Sequence, residues 1–85
     1  MKIVTDKFGN KKYYNKKNQL HREDGPAVEY YIGDKVWYLN GEIHRLDGAA
    51  FETENGFKEW YYKGKSIPVS SQEEFERYIK LLAFI

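Results

Sequence analysis

The feature that most constrains this chain is that it repeats itself. Residues 20–41 match residues 43–64 at a constant offset of 23, with Leu20-His21-Arg22-Glu23-Asp24-Gly25-Pro26-Ala27 standing over Ile43-His44-Arg45-Leu46-Asp47-Gly48-Ala49-Ala50. Gly33 then meets Gly56, Lys35 meets Lys58, Trp37 meets Trp60, Tyr38 meets Tyr61 and Gly41 meets Gly64. A partial copy precedes them: Phe8-Gly9-Asn10-Lys11-Lys12-Tyr13-Tyr14 is similar to Asn55-Gly56-Phe57-Lys58-Glu59-Trp60-Tyr61, with one extra residue before Leu20. Repeats this short bury their apolar faces by stacking on neighbours, so the chain should form one continuous array.

Each unit reads as a β-hairpin. Residues 27–31 and 35–39 are rich in β-branched and aromatic side chains and flank Ile32-Gly33-Asp34. Residues 49–53 and 57–62 flank Glu54-Asn55-Gly56, where Asn-Gly suits a tight turn, and Asn40-Gly41 is a second such turn between repeats. Residues 2–5 and 11–15 can pair around Lys7-Phe8-Gly9-Asn10. The period then changes. Ser70 with Glu73 and Ser71 with Glu74 form two overlapping capping boxes, and Phe75, Tyr78, Ile79 and Leu82 make one apolar stripe. These signals predict a mainly β, α+β fold: an antiparallel meander of about six short strands with one C-terminal helix from about 71 to 83 lying over the sheet. The chain divides into a single domain with a basic partial repeat (1–19), repeat 1 (20–42), repeat 2 (43–65) and a capping helical segment (70–85).

The run Leu20–Ala27, with Trp37-Tyr38 and Asn40-Gly41 after it, resembles the His-Arg-x-Asp-Gly-Pro-Ala repeat of small phage, bacterial and giant-virus proteins, a MORN-like hairpin repeat. The resemblance covers roughly residues 8–65, and Ile67-Pro68-Val69-Ser70-Ser71-Gln72-Glu73-Glu74-Phe75 is similar to the ending of phage members. It implies hairpins stacked into one twisted sheet and an accessory protein acting in the cytoplasm of a bacterial host. Two departures stand out: Ala49 replaces the proline of the motif, and the N-terminal copy lacks the His-Arg-x-Asp-Gly segment.

Composition narrows the chemistry. The chain has no cysteine, which removes disulfides, thiolate metal sites and a Cys nucleophile, and leaves packing or self-association to stabilise 85 residues. Met1-Lys2-Ile3-Val4-Thr5-Asp6 lacks a signal-peptide apolar run and nothing is apolar enough to span a bilayer, so the expectation is a cytoplasmic protein with no membrane partner. Residues 1–22 carry a net +6 and residues 23–85 a net −5, which marks the N-terminal end as a docking surface for an acidic partner or as a lysine-protected sheet edge.

His21 with Asp24 and His44 with Asp47 have the atoms of a metal site but lack an established ligand spacing, and no metal or other cofactor is expected. The residues instead read as a recurring corner, with Asp24-Gly25 and Asp47-Gly48 as structural turns and Arg22 and Arg45 pairing with the aspartates or with strand-end carbonyls. Ser66, Ser70 and Ser71 gather near the helix cap and no nucleophile or phosphate-loop motif occurs, so a non-enzymatic role is expected. Aromatic residues make up 18% of the chain, and 12 of the 15 fall between Phe8 and Tyr62. Alternation sends Trp37 and Tyr38, and likewise Trp60 and Tyr61, to opposite faces, one row beneath the helix and the other partly exposed. The expected binding residues are Trp37, Tyr38, Trp60, Tyr61, Tyr62, His21, Arg22, His44 and Arg45. Two ligand classes follow: a host protein that is inhibited or redirected, as in anti-defence, or a nucleotide or nucleic acid, including sequestration of a nucleotide immune signal. Free end strands also make homo-oligomerisation an expectation.

Overall fold

The structure is a computed structural model that describes residues 1–82; residues 83–85, the end of the segment expected to be helical, lie outside the described residues. Among the described residues there are nine short strands and one helix. They are β1 (Lys2–Thr5), β2 (Lys11–Tyr14), β3 (Val28–Glu29), β4 (Lys35–Val36), β5 (Tyr38–Leu39), β6 (Glu42–Ile43), β7 (Phe51–Glu52), β8 (Lys58–Tyr62), β9 (Lys65–Ile67) and α1 (Gln72–Leu82). One sheet runs β1-β2-β3-β4-β7-β8-β9, with neighbours antiparallel, and β5-β6 form a separate ribbon. The six expected strands are all present; the additions are the short return strands β6 and β9, and the separation of β5 from β4.

That separation has a local cause. The Trp37 N–H donates to the Ala50 carbonyl of the next hairpin rather than to the return strand, whereas the equivalent Trp60 pairs with Ile67. Beyond Trp37 the strand leaves the main sheet and pairs with its return strand, Tyr38 opposite Ile43. β8 divides the same work without a break, meeting β7 through Lys58 and Glu59 and β9 through Trp60, Tyr61 and Tyr62.

Two cross-strand rows order the sheet. Lys11, Glu29, Lys35, Glu52 and Lys58 are successive register partners, so charge alternates along the row and a slipped register would break these opposite-charge pairs. Two residues further along each strand, a second row alternates large and small. Tyr13, Ala27, Trp37, Ala50 and Trp60 follow one another, tied by the Tyr13 N–H to Ala27 and the Trp37 N–H to Ala50 carbonyl bonds. Ala27 and Ala50 are fully buried, since two aromatic neighbours leave no room for a longer side chain.

The turns are of two kinds. Asn40-Gly41 and Lys63-Gly64 both have φ near +49° then +86°, the two-residue turn whose twist suits a hairpin. The hairpin tips differ from expectation. At Glu54-Asn55-Gly56 only Gly56 takes positive φ, and Gly9 and Gly33 do likewise, so each tip is a three-residue loop ending in a left-handed glycine rather than an Asn-Gly two-residue turn.

Helix α1 is fixed by one of the two expected capping boxes. Ser71 Oγ accepts from the Glu74 N–H at 3.2 Å, and the Glu74 carboxylate turns back onto Ser70, accepting from its N–H at 3.0 Å and its hydroxyl at 2.8 Å. Glu73 pairs with Arg77 instead of Ser70. Phe75 is fully buried against Ala49, Trp60 and Ile67, while Val69 and Ile79 pack around them. The helix therefore covers the last repeat and not the whole apolar row. It is too short for more: eleven residues at 1.5 Å each span about 16 Å, against a molecule 44 Å long and 17 Å thin.

Candidate binding site

What covers the rest of the row is the repeated motif. The Arg22 guanidinium carbon sits 4.1 Å from the centre of the Tyr13 ring, and that of Arg45 sits 3.9 Å from the centre of Trp37. Each guanidinium is then held from three sides. Arg22 donates to Asp24 at 3.0 Å and to the Pro26 carbonyl at 3.2 Å, with Glu29 at 3.6 Å. Arg45 donates to Asp47 at 2.9 Å, to the Ala49 carbonyl at 3.0 Å and to Glu52 at 3.3 Å. The Arg45 hydrogen bond is the main cause holding the Asp47 carboxyl below the usual carboxylate range. A Cβ on Gly25 would come within 2.9 Å of the Arg22 Cζ, and one on Gly48 within 2.6 Å of the Arg45 Cζ, which is why the arginine demands a glycine three residues later. Both pairings foreseen for the arginines occur together.

The histidines are the motif's link to the next turn. The Asn40 N–H donates to His21 Nδ1, and the Lys63 N–H to His44 Nδ1, both at 2.9 Å, and these donors are the left-handed residues of the two-residue turns. An Nδ1 that accepts leaves the proton of a neutral ring on Nε2. Burial, then the Lys63 charge, push the His44 pKa below the usual histidine value, against an opposing pull from Glu42. His44 also packs beside Tyr62, ring centres 5.3 Å apart. Thus each histidine Nδ1 is engaged by the adjoining turn and one oxygen of each aspartate by its arginine, and among the described residues no group of three potential metal ligands converges. An open groove of about 530 Å³ lies between the two corners, bordered by Asp24, Gly25, Trp37, His44 and Asp47.

The remaining expected residues separate. Trp60 is 6% exposed and donates its indole N–H to Gln72 at 2.8 Å, so it belongs to the core under the helix rather than to an exposed aromatic row. Trp37 is half-buried beneath Arg45 rather than beneath the helix. On the opposite face Tyr14, Tyr38 and Tyr61 are half-buried. Burial raises the Tyr38 pKa, with Tyr30 and Tyr61 adding to the rise, and burial followed by Glu59 raises that of Tyr61. This tyrosine row is the partly exposed one that alternation calls for.

A row of exposed apolar groups lies elsewhere, on the tips of the three hairpins. Phe8 (64% exposed), Tyr31 (68%), Ile32 (53%) and Phe57 (56%) crown consecutive tips. Antiparallel order puts all three tips at one end of the sheet, and side chains tie them together. The Tyr31 N–H donates to Asn10 Oδ1 and the Glu54 N–H to Asp34 Oδ1, each at 2.9 Å, the same bond one repeat apart. Asp6 anchors the first tip by accepting from the Phe8 and Asn10 N–H groups at 2.9 and 3.0 Å. The cue in the sequence is that Phe8, Ile32 and Phe57 each adjoin a turn glycine (Phe8-Gly9, Ile32-Gly33, Gly56-Phe57), which marks them as loop-tip residues.

Among the described residues no helix is long and apolar enough to cross a membrane. Comparison of the chain with protein-family models, with curated proteins and with solved structures finds no match.

Proposed function

We propose that this chain is a non-enzymatic recognition module that docks on another protein through its hairpin tips. The observation that carries the reading is the fixed row of Phe8, Tyr31, Ile32 and Phe57, apolar groups held in water by turns that are themselves bonded to one another. A contiguous apolar patch with a polar surround is the signature of a contact surface, and its rigidity lowers the entropy cost of binding. The resemblance of Leu20–Ala27 to phage-type repeats supports a bacterial host protein as the partner, bound so as to inhibit or redirect it. A nucleotide or nucleic-acid ligand has less support, because Arg22 and Arg45, the arginines of the motif, already hold carboxylates and a carbonyl.

The test is retention of a bacterial protein on the immobilised chain, compared with Tyr31→Ser/Ile32→Ser. Retention at matching stoichiometry by the wild type, lost in the double variant at unchanged melting temperature and persisting at high salt, supports the reading. Retention indifferent to the tips would sink it. A rise in Tm with a cyclic or linear nucleotide that Arg45→Ala abolishes would favour the nucleotide alternative.

A further inference from the structure

The repeat leaves a strand position unfilled at its C-terminal end. In the first two units the central strand is flanked by the first strand of the next hairpin: β2 takes β3, with Lys11 opposite Glu29, and β4 takes β7, with Lys35 opposite Glu52. Among the described residues the equivalent side of β8 has no such strand at Lys58 and Glu59: β9 pairs only with Trp60, Tyr61 and Tyr62, and after Ile67 the chain turns through Pro68 into the helix instead of returning as a hairpin. An open groove of about 560 Å³ lies there, bordered by Lys58, Glu59 and Trp60 on one side and Ser66, Pro68 and Ser70 on the other. Consecutive residues of one strand border it, so it opens on the edge of β8.

The backbone of that edge is set to pair. The Thr53 N–H bond to the Phe57 carbonyl marks those residues as a bonded pair, so alternation turns the main-chain N–H and C=O of Lys58 away from Glu52 and toward the groove. Lys11 and Lys35 aim the same groups at β3 and β7 by the same rule.

We infer that the groove accepts a β-strand of a partner protein, and that the repeats state its chemistry. Where β3 and β7 fill this position they place a fully buried alanine next to the aromatic residue, then Val28 or Phe51, then a glutamate opposite the lysine. The matching occupant of β8 is an extended small–apolar–acidic segment: small beside Trp60, apolar opposite Glu59, acidic opposite Lys58. The β1 edge of a second copy suits the position less well, since it would set Ile3 beside Trp60 and Thr5 opposite Lys58. Strand addition of this kind takes affinity from main-chain bonds and specificity from alternate side chains. The groove meets the tip row at Phe57, while Phe8, Tyr31 and Ile32 lie outside it.

The probe is an acetylated peptide with the sequence of residues 46–53, Leu-Asp-Gly-Ala-Ala-Phe-Glu-Thr, titrated into the isotope-labelled protein. Saturable amide shifts at Phe57 to Trp60 and slowed exchange at the Lys58 N–H are expected. Replacing the peptide's second alanine by leucine should weaken binding at least about tenfold. Replacing its glutamate by lysine should do likewise, and Lys58→Glu should reverse that preference. Lys58→Gln, which removes the charge without inverting it, should make the two peptides bind alike, and Tyr31→Ser should change nothing. Absence of saturable shifts at Lys58, or binding indifferent to both peptide changes, overturns the inference. So does concentration-dependent self-association that moves the Lys58, Ile3 and Thr5 amides together, which would assign the groove to a second copy.

Discussion

The guanidinium of Arg45 lies 3.9 Å from the centre of the Trp37 ring and occupies the space that a side chain at Gly48 would need. Together with Asp47 and the Ala49 carbonyl, these groups form one unit whose parts have no separate function. Gly48→Ala can be accommodated by moving the arginine, at the loss of its stack and its bonds. Gly48→Ala and Arg45→Ala should therefore each cost about 1–3 kcal/mol, and the double variant little more than either alone. Urea denaturation of the three variants measures the coupling; additive costs would contradict the unit.

Ala50 tests the alternation of large and small residues. It is fully buried between Trp37 and Trp60, so Ala50→Leu forces both rings aside and should destabilise by about 1–3 kcal/mol or more. The same change at exposed Glu54 should be near neutral, within about 0.5 kcal/mol. The denaturation midpoints of the two variants decide it.

His44 makes stability depend on pH. Its folded pKa lies below the unfolded value, so between the two the unfolded chain binds more protons and stability rises with pH. The contribution is complete above the ordinary histidine pKa of about 6.5 and is lost as pH falls below it. Protonation also removes the acceptor that holds the Lys63 N–H. The wild type should lose stability from pH 7.5 to 5.5, and His44→Gln should lose less over that interval, by urea midpoints at each pH.

Lys63 stands at φ +49°, a left-handed position that its counterpart Asn40 fills with a residue suited to it. Left-handed backbone costs most L-residues about 1–2 kcal/mol and asparagine less. Lys63→Asn should raise stability by a substantial part of that, seen as a higher Tm, whereas Asn40→Lys should lower it.

The sequence alone determined the hairpin order, the two-residue turn at Asn40-Gly41, the helix near residue 72 and the motif's role as a corner, because a repeat with period-2 alternation leaves few other ways to bury Tyr13, Trp37 and Trp60. It also contained the alternating charge row, though only the register reveals it, since Lys11, Glu29, Lys35, Glu52 and Lys58 are neighbours across strands and far apart along the chain. Tertiary structure decided what covers each aromatic ring: arginine for Tyr13 and Trp37, helix for Trp60. It also placed Trp60 in the core instead of an exposed row and turned the tips outward. These outcomes depend on which groups meet when the strands stack, and contact across a sheet is a property of register and helix length that no local pattern carries.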